Sequence, residues 1–336
     1  MTIRISATAL ASLALASTLP FAAAAQTAVT VVVPNPSAIT FMPLHVAIGE
    51  GYFAEEGLDI TVEAVNGSAA VLQTMASGQA QIGAPGPGPL LSARARGEDV
   101  VFIYNLYPKS LFGLVVPEES DVQEPAGLKG ATIGVGTADG AEVAFARGIL
   151  TDAGLTEGED YDFLPVGDGG TAAAAILNEE VGAYAAAVPD AVIIAERGIP
   201  LREITPDPYL GYFGNGLAVT AEYLEANPEV IEGFGRAMAR GTAFGMDPAN
   251  TEVVLKHAAA GNPQEGEDPE FAQALLDATR ERMTPLDPSA PWGYQPPEGW
   301  EQWHQSQLDT GAISEPLDDL DAAYTNEFVE TWNAGL

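Results

Sequence analysis

The chain of 336 residues contains no cysteine, only three histidines and only 13 basic residues. The lack of cysteine excludes disulfides, thiolate metal sites, a cysteine nucleophile and the lipid-bearing cysteine that anchors many exported proteins. The histidines, His45, His257 and His304, do not stand at metal-ligand spacing, and the sequence has no Gly-x-Ser-x-Gly elbow. We therefore expect no metal site, no cofactor and no enzymatic activity.

Basic residues are greatly outnumbered by the 47 acidic ones, which gives a formal net charge of −34. A surface of this charge repels nucleic acid and anionic lipid, so neither is expected as a partner. The acidity itself has two explanations that the sequence leaves open. It solvates an exported protein in salty surroundings, or it attracts a cationic ligand.

Long apolar runs are missing beyond the first 25 residues. Those residues contain one positive charge at Arg4, an Ala/Leu-rich run over residues 5–16 and three alanines that end at Ala25. This pattern is typical of a secretory signal peptide, because the apolar run is too short to span a bilayer. We expect cleavage near Ala25 and a soluble mature protein in the periplasm of a two-membrane bacterium, not embedded in the membrane.

Helix, stop and strand signals follow one another directly over residues 41–63. Pro43 suits a first helical turn, Gly57 ends the helical part, and the apolar residues after Gly57 alternate as in a strand. A β-branched run at residues 29–33 precedes this stretch and predicts another strand. The loop at residues 35–42 therefore follows the carboxyl end of a strand, where open α/β sheets bind ligands.

The remaining chain alternates strand and helix signals in two units of similar order. Residues 51–84 resemble residues 148–186, either as a weak internal repeat or by chance similarity of segments rich in alanine and glycine. The fold class we predict is α/β, with two lobes joined by a two-strand hinge. The expected domains are a first lobe of residues 26–116 and 214–336, which includes the mostly helical C-terminal part, and a second lobe of residues 117–213.

Strand-to-helix turns of both lobes should converge on the cleft, where backbone N–H groups and capping hydroxyls bind polar atoms. Asp139 and Asp190 either cap the helices that follow them or point into the cleft, where they would favour an amino or amidine group. Aromatic residues near the crossings either stack on a planar ligand or belong to the core. The predicted ligand-binding residues are Asn35, Thr40, Phe41, Ser68, Gly88, Tyr107, Thr137, Asp139, Asp190, Phe213 and Asn215.

The pattern Pro-Leu-x-x-Ala-x-x-x-Gly-Tyr-Phe-x-x-Glu-Gly-Leu-Asp-Ile occupies residues 43–60. With this pattern the chain resembles the ABC-transporter substrate-binding proteins of the thiamine-precursor (hydroxymethylpyrimidine), sulfonate, taurine and nitrate group. The resemblance continues at residues 77–83, 128–135 and 323–328, and so spans nearly the whole mature chain.

The resemblance implies a type II-like periplasmic binding protein that captures one small molecule and delivers it, as a monomer, to an inner-membrane ABC permease. Residues 294–303 look most like the branch that binds pyrimidine thiamine precursors or riboflavin. Sulfonate, taurine or nitrate is the second ligand class left open, and a periplasmic sensory or docking module is a third possibility. A related branch of enzymes that make the thiamine pyrimidine carries a cysteine-rich motif, which this chain cannot contain.

Overall fold

The structure, a computed structural model, describes residues 26–336, so the signal peptide expected at residues 1–25 lies outside the described residues. Ten strands alternate with helices over the first two thirds of the chain. The strands are β1 (Thr27–Val33), β2 (Leu58–Ala64), β3 (Ile82–Gly83), β4 (Val100–Asn105), β5 (Phe112–Pro117), β6 (Thr132–Val135), β7 (Asp162–Pro165), β8 (Ala183–Ala187), β9 (Leu201–Glu203) and β10 (Gly216–Thr220).

Residues 26–336 contain fourteen α-helices. They are α1 (Met42–Gly49), α2 (Tyr52–Glu55), α3 (Gly67–Ala76), α4 (Pro87–Ala95), α5 (Ala141–Asp152), α6 (Gly169–Leu177), α7 (Val188–Glu196), α8 (Asp207–Leu210), α9 (Ala221–Ala226), α10 (Pro228–Met246), α11 (Thr251–Gly261), α12 (Pro269–Met283), α13 (Pro297–Asp309) and α14 (Val329–Asn333). Short 3-10 turns lie at Pro125–Leu128, Pro248–Asn250, Pro263–Gly266 and Asp321–Ala323. None of the helices described here is long and apolar enough to cross a membrane.

The strands form two five-stranded sheets of the same design. The first has the order β2-β1-β3-β10-β4 and the second the order β7-β6-β8-β5-β9. In each sheet the first three strands are parallel, and a strand that arrives from the other half of the molecule pairs antiparallel with the third. We call the halves built on these sheets the first and the second lobe. The predicted two-lobed α/β fold is confirmed.

The stretch over residues 41–63 folds as its sequence predicts. Pro43 lies in the first turn of α1, and the chain leaves that helix through Gly51, whose φ of 78° is accessible to glycine at no steric cost. Gly57, with a φ of 72°, makes the second such turn after α2 and directs the chain into β2. The helix, the turn and the strand are therefore confirmed.

Two expectations about the lobes need correction. The boundary expected at residue 116 does not coincide with the division between the sheets, because β5 pairs with β8 and β9 and so belongs to the second sheet. The chain crosses earlier, between β4 and β5, and returns between β9 and β10. The C-terminal helices do not all pack on the first lobe either. While α10 and α11 cover α1, α12 packs against α7 of the second lobe.

Candidate functional site

A cavity of about 470 Å³ lies between the two lobes. This volume is within the range of small-molecule sites, roughly 300–1,000 Å³. Its wall is formed by the loop after β1, the start of α3, the starts of α5, α6 and α7, and the segment that joins α11 to α12. Each of the strands β1, β6 and β8 ends at this cavity, as expected for an open α/β sheet.

The first-lobe wall is a loop at residues 34–41 that is fixed by one carboxylate, that of Glu265, which also lines the cavity. Glu265 accepts hydrogen bonds from the Ser37 hydroxyl and from the backbone N–H groups of Ala38 and Ile39, the latter two at 2.9 and 3.0 Å. Burial raises the pKa of Glu265, although these three donors act in the opposite direction. The loop thus presents a preorganised neutral surface to the cavity.

Apolar side chains complete the wall around this loop. Phe41 is almost fully buried and lines the cavity together with Leu111 and Phe112, which follow the first crossing between the sheets. Ile193 of α7 and Phe271 of α12 line it from the other side. Rings and aliphatic groups in this arrangement are suited to hold a flat ligand.

The second-lobe wall carries three carboxyl groups, one at the start of each of three helices. Glu142 lies in the first turn of α5 and accepts the backbone N–H of Thr137 at 3.1 Å. Asp190 lies in the first turn of α7 and accepts the backbone N–H of Gly169 at 2.8 Å. Asp168 is the residue directly before α6. All three carboxyl groups line the cavity.

Burial and mutual repulsion make these groups hard to ionise. Desolvation raises the pKa of Glu142 to about 7, and the charges of Asp168 and Asp139 add to the rise. Desolvation likewise raises the pKa of Asp190 to about 8, with further contributions from Asp168 and Glu142. The side chain of Asp168 is exposed at the rim, and partial desolvation raises its pKa in the same direction.

The helix starts at this wall are places where an anion would normally be favoured. Here the chain's own carboxylates occupy those places, since Glu142 and Asp190 already accept the backbone N–H groups of Thr137 and Gly169. No lysine, arginine or histidine stands among the described residues that line the cavity, whereas four carboxyl groups do. The site is therefore rich in hydrogen-bond acceptors and poor in positive charge.

Seven of the eleven predicted binding residues line this cavity, namely Asn35, Thr40, Phe41, Ser68, Thr137, Asp190 and Asn215. Several of them also hold the wall together. Asn35 accepts the backbone N–H of Ser37 at 3.0 Å, and Ser68 accepts that of Gly86 at 3.1 Å. Asp190 lines the cavity but does not cap α7, because it lies inside the first turn of that helix and accepts the backbone N–H of Gly169, the first residue of α6.

The other four predicted residues do not line this cavity. Gly88 lies in α4, where its lack of a β-carbon lets the helix approach Ala144 of α5. Phe213 packs edge-on against Trp300, and Tyr107 is fully buried behind the wall, where its hydroxyl donates to the carbonyl of Thr40. Asp139 is exposed outside the cavity. It neither caps α5, the start of which has no side-chain cap, nor lines the cavity.

Three acidic wall residues, Glu142, Asp168 and Glu265, were not predicted. For Glu142 the signal is its place in the first turn of a helix, where acidic residues are favoured by the helix dipole. Asp168 directly precedes the Gly169–Gly170 turn, and an aspartate in that position commonly begins a helix. Glu265 offers no local signal, because its partners Ala38 and Ile39 are more than 200 residues away in the sequence.

Similar proteins have been named for the ligands they bind. A riboflavin-binding protein, RibY, from Chloroflexus aurantiacus is 26% identical over 302 residues, which cover 88% of this chain and 84% of that protein. A formylaminopyrimidine-binding protein from Halalkalibacterium halodurans is 26% identical over 269 residues, which cover 77% of this chain and 78% of that protein. Both relatives are thus named as binding proteins and not as enzymes.

Solved structures share the fold. The alkanesulfonate-binding protein SsuA from Xanthomonas axonopodis pv. citri, bound to MOPS, superposes with a TM-score of 0.70 at 18% identity. The match covers 90% of this chain and 99% of that one, so the fold is that of a periplasmic binding protein. A family model described as NMT1/THI5 like matches residues 38–251, which is more than half of the chain. The chain belongs to the NMT1/THI5-like family.

Proposed function

We propose that the chain is the solute-binding component of an ABC import system, and that it captures a planar nitrogen-containing molecule of the pyrimidine or flavin type between its lobes. The observation that carries this proposal is the lining of the cavity, which combines Phe41, Phe112 and Phe271 with four carboxyl groups and no basic side chain. Aromatic heterocycles that carry amino groups present flat faces to the rings and N–H donors to the carboxyl oxygens.

The names of the two relatives support the same ligand class, because riboflavin and formylaminopyrimidine are both nitrogen heterocycles. Sulfonates and nitrate, the alternative class, are anions, and they would meet Glu142, Asp168 and Asp190 where they need donors. The likeness to the alkanesulfonate-binding protein supports the fold and the transport role, but the wall chemistry of this chain does not favour its ligand.

In this proposal the mature protein starts near Gln26 after removal of the signal peptide, acts as a monomer in the periplasm and delivers its ligand to an inner-membrane permease. The motion expected on binding is closure of the two lobes about the crossings between β4 and β5 and between β9 and β10. The proposal includes no chemical reaction of the ligand and no bound cofactor.

Calorimetry and thermal unfolding of the purified mature chain test the proposal. The panel contains 4-amino-5-hydroxymethyl-2-methylpyrimidine, riboflavin, taurine, an alkanesulfonate and nitrate. We expect saturable binding and a higher melting temperature with a pyrimidine or with riboflavin. Stabilisation by taurine, the alkanesulfonate or nitrate alone would refute it.

A further inference from the structure

Two carboxyl groups of the second-lobe wall, those of Glu142 and Asp168, adjoin the same glycine. The pKa of the third, Asp190, is raised by desolvation and also by the charges of these two groups. A β-carbon placed on Gly136 would lie 2.0 Å from Oδ1 of Asp168 and 3.3 Å from Oε1 of Glu142, so both oxygens adjoin the same point of the backbone. A β-carbon on Gly140 would lie 2.2 Å from both oxygens of Glu142. Two glycines thus leave room for carboxyl groups that repel one another.

A second and independent feature of the cavity wall is an unpartnered oxygen on Asn215. Asn215 is only 3% exposed, and its Nδ2 donates to the carbonyl of Ala84 at 3.0 Å, which fixes the orientation of the amide. Its Oδ1 is buried and has no hydrogen-bond partner among the described residues, although Asn215 lines the cavity. A buried acceptor without a donor is unfavourable, so this oxygen is suited to receive a donor from a ligand.

The position of Asn215 Oδ1 relates it to the acidic cluster across the cleft. A β-carbon on Gly86 would lie 2.3 Å from the side chain of Ala141 and 3.5 Å from Oδ1 of Asn215. Ala141 is the residue directly before Glu142 at the start of α5. The lobes therefore bring a neutral acceptor of the first lobe close to the acidic helix start of the second.

No positive charge among the lining residues balances this arrangement. Arg197, the basic side chain near Gly170, is exposed and lies behind the turn. The titratable groups on the elements packed around the cluster are Asp139 and Glu142 at the start of α5, Asp168 before α6, Asp190 on α7, Arg197 directly after α7, Tyr184 on β8 and Glu265 on the first-lobe side of the cavity. Because three acids meet on a wall without a basic side chain, either a ligand supplies positive charge or the acids remain protonated.

We propose that Glu142, Asp168, Asp190 and the Oδ1 of Asn215 form a subsite for a cationic nitrogen group, an ammonium or an amidinium, including the protonated amidine edge of an aminopyrimidine. The inference rests on the proposed function, because it assigns a charge to the ligand of the same cavity. An amidinium carries several N–H donors in one plane, which match acceptors that converge from two lobes. Charge-assisted hydrogen bonds of this kind are the strong ones in proteins.

Binding of a cation at this subsite displaces protons from the cluster. Glu142 and Asp190 ionise only near pH 7 and 8, because desolvation and neighbouring acids oppose their charge. A permanently cationic ligand therefore binds best above these values and more weakly as the pH falls through 8 and then 7. A neutral ligand of the same shape has no such dependence.

The test compares benzamidine with benzamide, a neutral molecule of the same shape, by calorimetry at pH 6, 7, 8 and 9. We expect benzamidine to bind more tightly than benzamide, and to gain affinity as the pH rises. The variants Glu142→Gln and Asp190→Asn keep the side-chain shapes, and each should weaken benzamidine binding at pH 8.5 by about tenfold to a hundredfold, as expected for one charge-assisted hydrogen bond. Glu196→Gln, which neutralises an exposed acid on the same helix as Asp190, is the matched control and should change little.

Melting temperatures of all three variants establish that they fold. Equal affinity for benzamidine and benzamide, or variants of Glu142 and Asp190 that bind benzamidine as well as the Glu196→Gln control does, would overturn the subsite. The two proposals fail separately. If a pyrimidine or riboflavin binds equally well to all variants, the proposed function stands and the cationic subsite falls, whereas preferential benzamidine binding without any heterocycle binding leaves the subsite and removes the proposed ligand class.

Discussion

The loop after β1 and the turn after β6 occupy equivalent places in the two lobes, since each follows the second strand in its sheet and reaches the cavity. In both, a carboxylate accepts backbone N–H groups. Glu265 of the first lobe accepts hydrogen bonds from three donors. Glu142 of the second lobe adjoins Asp168, and its pKa is raised by desolvation and, to a smaller extent, by the charge of Asp168. The first carboxylate holds a loop in shape, and the second-lobe carboxylates leave charge that a ligand can balance.

Among the substitutions that test this difference between the lobes, Glu265→Ala is expected to have the largest effect. The substitution leaves the buried N–H groups of Ala38 and Ile39 without their acceptor, which should lower the free energy of unfolding by about 3 kcal/mol. Because these groups fix the loop at residues 34–41, ligand affinity should fall as well. Urea unfolding and calorimetry measure the two losses.

Glu265→Gln is the matched variant, because its amide oxygen still accepts hydrogen bonds from the loop. It should retain most of the stability that Glu265→Ala loses. If both variants unfold at the same urea concentration, the three hydrogen bonds do not hold the loop, and the contrast with the second lobe disappears.

A smaller effect is expected from the pH dependence of the ligand-free protein. Folding raises the pKa of Asp190 from 3.8 to about 8, so between these values the folded state binds more protons than the unfolded state. Stability is therefore lost as the pH rises through this range. Asp190→Asn removes this titrating group, so the free energy of unfolding lost between pH 5 and pH 8 should be smaller by about 2 kcal/mol. This is less than the ~1.4 kcal/mol per pKa unit expected for an isolated group, because neighbouring acids share the cost of ionisation.

The control for this pH dependence is again Glu196→Gln, because general repulsion in a protein of net charge −34 also grows with pH. Thermal unfolding of both variants in matched buffers separates the local effect from the general one. The same slope of melting temperature against pH in both variants would contradict a special role for Asp190.

The sequence predicted the elements better than it predicted their neighbours. The strand at residues 112–117 follows from its β-branched and aromatic residues, yet its place in the second sheet depends on pairing with β8, about 70 residues further along. Likewise, the turns that reach the cavity follow from glycine and proline, and Asn35, Ser68 and Thr137 were found in this way. Phe213 and Tyr107 do not line the cavity, because tertiary packing buries their rings. The position of a residue in a loop does not show whether its ring will be buried.

Two members of the acidic cluster formed by Glu142, Asp168 and Asp190, namely Glu142 and Asp168, were not predicted for a related reason. Each of its carboxyl groups has an ordinary local explanation as a helix-start residue, and only the convergence of α5, α6 and α7 makes them neighbours. The net charge of −34 gave no help, since it is spread over the whole chain. Long-range contacts such as that of Glu265 with Ala38 are set by the tertiary fold alone.

A more local change, Gly140→Ala, should weaken cation binding without removing any acid. The backbone tolerates alanine at this position because φ is −71°, but the new β-carbon would lie 2.2 Å from both Glu142 oxygens. The carboxyl group has to move, and we expect about tenfold weaker benzamidine binding at pH 8.5. Gly182→Ala is the control, since a β-carbon there meets nothing within 4 Å. Unchanged affinity in the Gly140 variant would show that the position of Glu142 does not matter.

The smallest predicted effect is a loss of stability at acidic pH. It comes from a group in the first lobe, and its pH dependence has the opposite sign to that of Asp190 in the second lobe. His45 of α1 is mostly buried against α11, close to Gly261, and burial lowers its pKa from 6.5 to about 4. Between these values the unfolded chain binds the extra proton, so stability is lost as the pH falls. From pH 6.5 to 5.5 this loss amounts to about 1 kcal/mol, and His45→Gln should abolish it.

Together, His45 and Asp190 place a titrating group with the opposite effect in each lobe, so their contributions offset each other between about pH 4 and pH 6.5, and only the loss due to Asp190 continues from pH 6.5 to pH 8. Thermal unfolding of His45→Gln and Asp190→Asn from pH 5 to pH 8 tests this pairing. The first variant should change only the acidic limb, below pH 6.5, whereas the second should change both that limb and the alkaline limb from pH 6.5 to pH 8, because the titration range of Asp190 contains that of His45. If His45→Gln alters the alkaline limb as strongly as the acidic one, its effect comes from packing against Gly261 and not from the proton.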